Sequence, residues 1–242
     1  MDSEKKLFLL DAYALIFRSY YAFISNPMKN SKGQNTSTTF GFTITLDEVL
    51  RNQKPSHIAV AFDPAGPTFR NDLFPAYKAN RMETPEDIRN AVPAIKKIIE
   101  AYNIPVVESK GFEADDVIGT LAKQAEKEGF KVFMMTPDKD YAQLVSENIL
   151  MFKPRKSGND SEILGSAEIC QKFGITNPLQ FIDILALWGD PSDNIPGVPG
   201  VGEKTAIKMI AEYGSIENIY NNIEKFKGKL RENLENNKEK AL

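Results

Sequence analysis

Four short apolar segments along the chain are each followed by acidic residues. The segments are KLFLL, HIAVAF, IPVV and KVFMM, and the acids that follow them include Asp11, Asp63, Glu113 and Asp138. Near-continuous apolar runs of this length are typical of strands that are buried on both faces of a parallel sheet. The pattern therefore predicts four buried strands with carboxylates beyond their carboxyl ends.

Amphipathic segments that suit helices lie between these strands. ADDVIGTLAKQAEKEG carries apolar residues on one helical face from Ala114 to Ala125, and Gly129 is its predicted C-terminal stop. In TPEDIRNAVPAIKKIIEAYNI, Thr84 is the predicted N-cap and Pro85 the first helical residue. The alternation of strand and helix predicts an α/β fold with a mostly parallel sheet.

Beyond about residue 165 the chain carries short helical segments and no strand pattern. We therefore predict an α/β domain over residues 1–165, with an irregular excursion at about 66–90, and a helical subdomain over residues 166–242. The final stretch, RENLENNKEKAL, ends in a helical pattern without a Gly or Pro terminator. A fragment of a longer polypeptide is the favoured interpretation, and a self-standing protein is the alternative.

The order of strands predicts where the acidic residues gather. In open parallel sheets, ligands bind beyond the carboxyl ends of the strands. A single Asp at such a position often only caps a helix or begins a turn. That explanation accounts poorly for acidic residues that follow all four predicted strands. The sequence therefore predicts a metal site at this edge, formed by Asp11, Asp63, Glu113, Asp115, Asp116, Asp138 and Asp140.

The available ligand types indicate which metal the site would take. The chain has one cysteine, Cys170, and one histidine, His57, which disfavours a zinc site built on Cys and His. Hard cations such as Mg²⁺ prefer oxygen ligands. Two such ions about 4 Å apart activate a water and stabilise the leaving oxygen of a phosphodiester. In GDPSDN, Asp190 and Asp193 are either ligands of the second ion or capping residues only.

A glycine-rich turn, GVPGVGEKTA, lies in the helical part. Gly197 and Gly202 have the separation of a nucleotide-binding P-loop, but Glu203 stands where that motif requires Lys, and no strand precedes it. A helix–hairpin–helix turn fits better, because glycines let backbone N–H groups approach a DNA phosphate. Lys204 and Lys208 would then lie on one helix face beside the phosphates. A plain turn between two helices is the alternative.

The excursion GPTFRNDLFPAYKANRMETPED mixes aromatic and basic residues. Long irregular loops are usually either functional or disordered. Lys78 and Arg81 are three residues apart, so they could share one face of a helix formed over the site and stabilise charge on a scissile phosphate. A disordered surface loop is the alternative.

The net charge of the chain depends strongly on the nine acidic residues assigned to the candidate metal site. The chain carries 30 basic and 33 acidic residues, a net charge of −3, which by itself argues against nucleic-acid binding. Setting aside the nine candidate metal ligands leaves 24 acidic against 30 basic residues, a remainder of +6 that suits a phosphate backbone. KPRK (153–156) and KFKGKLR (225–231) either extend this footprint or are solvated surface.

Several motifs together resemble a known family. LLDAYALIFRSYYA, FRNDLFPAYKANR, GFEADDVIGTLA, TPDKDYAQL and WGDPSDNIPGVPGVGEKTA occur in this order over nearly the whole chain. The chain resembles the 5′-nuclease (flap endonuclease) family, closest to the N-terminal 5′→3′ exonuclease domain of bacterial DNA polymerase I. The resemblance implies a PIN-like α/β domain with a helical arch and a helix–hairpin–helix subdomain. It also implies hydrolysis of DNA at 5′ ends and 5′ flaps, in removal of RNA primers and flaps.

The resemblance assigns roles to individual residues. Asp11, Asp63, Glu113, Asp115 and Asp116 would serve the catalytic metal, and the second metal would be served by Asp138, Asp140, Asp190 and Asp193. Lys78, Arg81 and Asp116 are the expected catalytic residues. The expected DNA-binding residues are Tyr20, Arg70, Tyr77, Gly197, Gly200, Gly202, Lys204, Thr205 and Lys208, although Tyr20 could equally belong to the core.

The resemblance also implies ions and partners. It implies two Mg²⁺ ions, which Mn²⁺ can replace, and a K⁺ ion at the hairpin turn. The expected partners are flapped, nicked or gapped DNA, RNA–DNA primer ends, and a polymerase domain in the same polypeptide if the chain is a fragment. The single cysteine suits a reducing compartment and no stretch is long and apolar enough for a membrane span, so we expect a cytoplasmic location. The resemblance implies in addition a monomer that is associated with the nucleoid.

Two functions of other classes remain as alternatives. The first is a DNA-junction binding module that uses the hairpin and the arch without cutting, which the complete acidic set disfavours. The second is a phosphatase with Asp11 as its nucleophile. Such enzymes usually carry a second Asp two residues further on, where this chain has Tyr13.

Overall fold

The computed structural model describes residues 5–154 and 161–242, so Arg155 and Lys156 of the KPRK stretch lie outside the described residues. The chain divides into two compact units. The sheet unit comprises Met1–Phe69, Glu83–Tyr141 and Glu147–Ile163, and the helical unit comprises Arg70–Met82, Ala142–Ser146 and Leu164–Leu242. Most of the predicted 66–90 excursion therefore groups with the helical unit.

A six-stranded sheet with the order β3-β2-β1-β4-β5-β6 forms the centre of the sheet unit. Its strands are β1 Lys6–Asp11, β2 His57–Ala61, β3 Val106–Val107, β4 Lys131–Met135, β5 Ile149–Lys153 and β6 Glu162–Leu164. β1 pairs in parallel with β2 and with β4, β2 pairs in parallel with β3, and β4 pairs in parallel with β5. The predicted mostly parallel sheet is thus confirmed.

Helices cover this sheet and supply most of the core. They are α1 Ala12–Phe23, α2 Ser37–Glu48 with a π-helical extension Val49–Gln53, α4 Glu86–Ala101 and α5 Ala114–Lys127. The main cluster of buried side chains joins β1, β2 and β4 to α1, α2 and α4, with Phe8, Phe42 and Ile95 among its members. Burial of such large apolar side chains is the dominant stabilising contribution to a domain of this kind.

The predicted start of α4 is one residue early. Pro85 is the N-cap residue and not the first helical residue, and its carbonyl accepts from the N–H groups of Ile88 and Arg89. Proline suits this position because it has no N–H to leave unsatisfied at the helix start. The predicted end of α5 is confirmed, since Gly129 follows the helix with φ +79.

The helical unit consists of short helices and a two-stranded antiparallel ribbon. The helices are α3 Phe69–Leu73, which begins in the sheet unit, then α6 Ser166–Phe173, α7 Gln180–Trp188, α8 Glu203–Tyr213, α9 Ile216–Asn221, α10 Gly228–Asn236 and α11 Lys238–Ala241. Residues Lys139–Leu144 and Ile223–Lys225 form 3₁₀ turns. The ribbon, β7 Gly189–Asp190 with β8 Ile195–Pro196, was not predicted, because strands of two residues show no periodicity.

None of the helices in residues 5–154 and 161–242 has both the length and the apolar character that crossing a bilayer requires.

Candidate active site and nucleic-acid interface

The carboxyl ends of β3, β2, β1 and β4 lie side by side, because these strands are parallel neighbours in the sheet. Seven carboxylates gather at this edge, here called the acidic edge: Asp11, Asp63, Glu113, Asp115, Asp116, Asp138 and Asp140. Asp11 is the last residue of β1, and Ala114 begins α5 at the same edge. The predicted gathering of acids after four strands is therefore present in the sheet unit.

Asp11 joins the end of β1 to the start of α1. Its Oδ1 accepts from the backbone N–H of Ala14 at 3.0 Å, so it caps α1, and its Oδ2 accepts from the Thr136 hydroxyl at 3.1 Å. The side chain is buried. Burial, together with the neighbouring charges of Asp63 and Asp138, raises the pKa of Asp11 to about 6.

Asp115 lies near the centre of the acidic edge. Burial raises its pKa to about 7, with further contributions from Asp11, Asp138 and Asp63, while a hydrogen bond donated by the Tyr141 hydroxyl at 2.7 Å partly offsets them. The same surroundings raise the pKa of Tyr141 well above its usual value, so Tyr141 stays protonated and donates. Asp11 and Asp115 therefore hold their negative charges at a cost to stability.

The other acids of the edge also take part in local hydrogen bonds. Asp63 Oδ1 accepts from the backbone N–H of Ala114 at 2.8 Å, which ties β2 to the start of α5. Asp116 accepts from the backbone N–H of Glu113 at 2.9 Å in a reciprocal cap of α5. Asp138 accepts from the N–H of Asp140 at 3.0 Å. Asp63, Asp116 and Asp138 thus serve as local hydrogen-bond acceptors, which is the structural role that the sequence offered as the alternative to metal ligation.

The chemistry of the acidic edge fits a hard divalent cation. All its donors are carboxylate oxygens. Burial, and after it the crowding of like charges, raises the pKa of Asp11 and Asp115, and a bound cation would favour their ionised forms. Within residues 5–154 and 161–242, no three of these side chains already stand close enough together to enclose an ion. The carboxylates are spread along the edge with their oxygens turned toward local donors.

Three groups beside the acidic edge were not identified from the sequence. Thr136 and Tyr141 donate to Asp11 and Asp115. Beyond β3, Lys96 pairs with Glu108, and its ammonium lies 4.6 Å from the centre of the Phe62 ring. Thr136 and Tyr141 lie in the motif TPDKDYAQL, where only the acidic residues were assigned a role, and Lys96 lies outside the motifs on which the family resemblance rests.

The two acids assigned to a second metal lie in the helical unit, in and beside the β7–β8 ribbon. Asp190 is buried, and its Oδ1 accepts from the N–H of Ser192 at 2.7 Å. Asp193 binds three side chains of the segment 66–90. The Tyr77 hydroxyl donates to its Oδ2 at 2.9 Å and Arg81 donates to its Oδ1 at 2.6 Å. Lys78 Nζ lies 3.8 Å from Oδ2. Asp193 is therefore already engaged by cations of its own chain.

Main-chain and side-chain hydrogen bonds reinforce this contact. The N–H of Lys78 donates to the carbonyl of Asp193 at 2.9 Å, Asn80 donates to Pro191, and Asn194 donates to the carbonyl of Ala76 at 2.7 Å. The segment Ala76–Arg81 is thereby fixed onto the ribbon loop. We call this set of contacts the Asp193 latch.

The predicted helix carrying Lys78 and Arg81 is wrong. The only helix in this part of the excursion is α3, and the residues after it form successive turns. Lys78 has φ +56, a left-handed conformation that cannot continue an α-helix and that costs energy for a residue with a Cβ. The two bases nevertheless come together, because both reach Asp193.

The glycine-rich turn joins α7 to α8. The N–H of Val201 donates to the carbonyl of Val198 at 2.9 Å across Pro199 and Gly200, and Gly200 has φ +80. A proline at the second position of the turn and a glycine with positive φ at the third are the pattern of a type II β-turn. Buried Val198 and Val201 anchor the turn, so its glycine side faces outward.

The turn presents an uncapped helix start. Gly202 is the N-cap of α8 and supplies no side-chain hydrogen bond, which leaves N–H groups of the first turn available to an anion. Lys204 and Lys208 are exposed one turn apart on α8. Thr205 follows Lys204 in the same turn of helix and is half-buried. The glycine-rich turn before a helix and the two exposed lysines are therefore present.

The expectation that no strand precedes the turn is wrong, because the two-residue strand β8 ends at Pro196, directly before Gly197. Glu203 still stands where a P-loop requires Lys.

Close packing of two glycines shapes the ribbon that carries Asp190 and Asp193. Gly189 pairs with Pro196, and a Cβ on Gly197 would overlap backbone atoms of Trp188 and Gly189. We expect Gly197→Ser to lower the free energy of unfolding by about 3 kcal/mol, since backbone cannot move aside as a side chain can. Urea denaturation would measure the loss.

Gly202→Ser is the matched control for this prediction, because a Cβ at Gly202 meets no atom within 4 Å and Ser is a favoured N-cap. Equal urea midpoints for the two variants would show that the glycine contact does not constrain the ribbon.

Two further expected DNA-binding residues differ in their surroundings. Tyr20 is half-buried, packs against the main core cluster and makes an edge-to-face contact with Tyr21 at 5.2 Å. Arg70 is half-buried at the start of α3. Tyr20 thus has a structural role in addition to the expected DNA contact.

Comparison with known proteins finds two adjoining family models. The model described as "5′-3′ exonuclease, N-terminal resolvase-like domain" matches residues 6–174, and the one described as "5′-3′ exonuclease, C-terminal SAM fold" matches residues 176–242. Among curated proteins, DNA polymerase I of Mycobacterium tuberculosis is 44% identical over 235 residues, covering 97% of this chain. The chain spans only 26% of the length of that relative.

Solved structures support the same fold. The bacteriophage T5 5′-exonuclease with bound zinc superposes with a TM-score of 0.76 at 22% identity, covering 98% of this chain and 86% of that one. The catalytic core of Rad2 in complex with a DNA substrate superposes with a TM-score of 0.61 at 20% identity, covering 98% and 74% of the two chains.

Proposed function

The chain belongs to the 5′-3′ exonuclease family, and from this membership we propose that it is a structure-specific 5′ nuclease. Its substrates are 5′ ends and 5′ flaps of DNA, and its role is the removal of primers and flaps in replication and repair, in one polypeptide with a polymerase domain. The acidic edge is the observation that carries this proposal. Such work on chromosomal DNA would associate the protein with the nucleoid.

Metal binding is part of the proposal. Asp11, Asp63, Glu113, Asp115 and Asp116 would hold one Mg²⁺ or Mn²⁺ ion, and a second would be held by Asp138, Asp140, Asp190 and Asp193. When bound, such ions polarise water and neutralise charge on the phosphate. Asp116 both caps α5 and faces the edge, so its substitution tests whether the edge is needed for catalysis.

The bases of the excursion would bind the scissile phosphate. Lys78 and Arg81 already pair with the carboxylate of Asp193. A phosphate presents anionic oxygens that can accept the same charge-assisted hydrogen bonds. Exchange of Asp193 for phosphate would bring both cations to the reacting group, with Arg70 and Tyr77 assisting. Hydrolysis adds water at phosphorus, breaks the bond to the 3′ oxygen and leaves a 5′-phosphate.

The hairpin would hold the duplex. Its N–H groups at Gly200, Gly202 and the start of α8 suit a backbone phosphate, and a K⁺ ion there would bridge turn carbonyls and phosphate. The contact carries no sequence information, because it reaches only the phosphate backbone. This property suits an enzyme that recognises the form of a junction.

Replacing Lys204 tests the hairpin. We expect Lys204→Ala to weaken duplex binding roughly fivefold and to reduce the slope of log affinity against log salt by about 1, with the cutting position unchanged. Fluorescence anisotropy over a salt series would measure both. Lys123→Ala, on the exposed face of α5, is the matched control. A salt slope equal to that of the wild type would contradict the hairpin assignment.

The experiment that tests the function is cleavage of a 5′-end-labelled flap duplex in Mg²⁺ and in Ca²⁺. A short labelled product formed at the junction only in Mg²⁺, and lost in Asp116→Ala with DNA binding retained, supports the nuclease. Tight binding without product in either ion would favour the junction-binding module. A covalent phosphoaspartate at Asp11 would favour the phosphatase.

A further inference from the structure

Two phenylalanine rings stand exposed beside the acidic edge. Phe112 is 47% exposed, the highest fraction for any Phe in the described part of the chain, and Phe69 is 38% exposed. Their ring centres are 5.6 Å apart, with 48° between the planes. Five phenylalanines of the sheet unit, Phe8, Phe42, Phe62, Phe133 and Phe152, are instead buried in the core, so the exposure of this pair forgoes the stabilisation that burial of an aromatic ring provides.

The backbone holds this pair in place. The N–H of Phe112 donates to the carbonyl of Ser109 at 3.1 Å in a turn that contains Gly111 with φ +83. The N–H of Phe69 donates to the carbonyl of Gly111, also at 3.1 Å. Glu113, the next residue after Phe112, is buried as the N-cap of α5. The rings are therefore fixed to the same turn that begins the acidic edge.

The surroundings of the pair suit a nucleobase. A Cβ built on Gly111 meets no atom within 4 Å, so the turn borders open space. Exposed Lys110 precedes Gly111 and supplies a cation for a backbone phosphate. An aromatic face with an adjacent base is the arrangement that binds single-stranded nucleic acid, because every base can stack on a ring. A neutral base also tolerates the nearby carboxylates, which a bare phosphate does not.

We propose that Phe112 and Phe69 form a stacking platform for the first unpaired base of the 5′ strand, next to the phosphate that is cut. This inference rests on the proposed nuclease function and adds a subsite to it. The platform would fix the base while the adjoining phosphate lies at the acidic edge. It would also favour substrates whose base at this position is already unpaired, since stacking then requires no unpairing.

The test uses 2-aminopurine at that nucleotide of a flap duplex, in Ca²⁺ so that no turnover is needed. Stacking on a ring quenches its fluorescence. We expect the wild-type chain and Phe112→Trp to quench it, and Phe112→Ala and Phe112→Leu to lose most of the quenching, with flap affinity five- to tenfold weaker. Phe69→Leu gives a second, independent loss. Tyr102→Ala, 44% exposed at the end of α4, is the matched control and should behave as wild type.

The outcomes separate the platform from the function. Wild-type quenching in all Phe112 and Phe69 variants, with normal flap cutting, overturns the platform and leaves the nuclease intact. Absence of cutting by the wild-type chain instead overturns the function. A dimer in sedimentation that Phe112→Ala dissociates would assign the rings to a contact between two copies and also overturn the platform. Phe112→Leu keeps an apolar side chain but removes the aromatic ring. Loss of 2-aminopurine quenching in this variant would therefore show that the base stacks on the ring and is not merely held by apolar contact.

Discussion

Replacing Asp115 with Asn is expected to lower metal-dependent cleavage strongly and at the same time to stabilise the folded chain at pH 8. The carboxylate is largely buried among Asp11, Asp63 and Asp138, and its pKa is raised to about 7. The shift is about three pKa units at about 1.4 kcal/mol each, so the ionised form costs on the order of 4 kcal/mol at pH 8. Asn keeps the acceptor for Tyr141 and removes the charge.

The sign of the pH dependence follows from the direction of the shift. The folded state binds a proton at Asp115 between the ordinary pKa of Asp, about 3.9, and about 7, where the unfolded state does not. Stability from this group is therefore present at low pH and is lost as pH rises through 7. Asp11, with a pKa of about 6, contributes in the same direction. We expect the wild-type chain without metal to be more stable at pH 5 than at pH 8.

Thermal denaturation at both pH values, with EDTA or Mg²⁺, measures these effects. Mg²⁺ should raise the Tm of the wild type at pH 8 and should raise the Tm of Asp115→Asn much less. Flap cleavage by Asp115→Asn should be about a hundred- to a thousandfold slower than cleavage by the wild type. Asp47→Asn, which removes only an exposed pair with Arg51, is the matched control and should change little. An Asp115→Asn variant that is no more stable at pH 8, or that cuts normally, would contradict the assignment.

The acidic edge was predictable because its cause is local. Each apolar run is followed within a few residues by an assigned Asp or Glu, as at Asp11 after KLFLL, and parallel pairing then aligns the strand ends without further information. The Asp193 latch was not predictable, because Tyr77 and Asp193 are 116 residues apart and neither carries a signal for the other. The left-handed conformation of Lys78 likewise depends on that long-range contact, against the local preference of Lys.

Asp193→Asn is expected to loosen the Asp193 latch even when no metal is present. The variant removes the charge that Arg81 binds at 2.6 Å and that Lys78 approaches, while Tyr77 keeps an oxygen acceptor. Charge-assisted hydrogen bonds contribute about 1.5–3 kcal/mol, so we expect the free energy of unfolding in EDTA to fall by about 2 kcal/mol. Trypsin should cut after Lys78 or Arg81 at least tenfold faster, because the segment opens more often.

EDTA separates the two roles assigned to Asp193. If Asp193 were only a metal ligand, its substitution in EDTA would change neither stability nor the trypsin rate, since there is no ion to lose. Asp72→Asn, an exposed change in the same excursion, is the matched control. A double-mutant cycle with Arg81→Met should give a coupling of about 1–2 kcal/mol, and additive losses would contradict the latch. A measured coupling would show that Arg81 and Asp193 stabilise each other in the absence of metal, so that the proposed contact of Arg81 with the scissile phosphate would have to compete with Asp193.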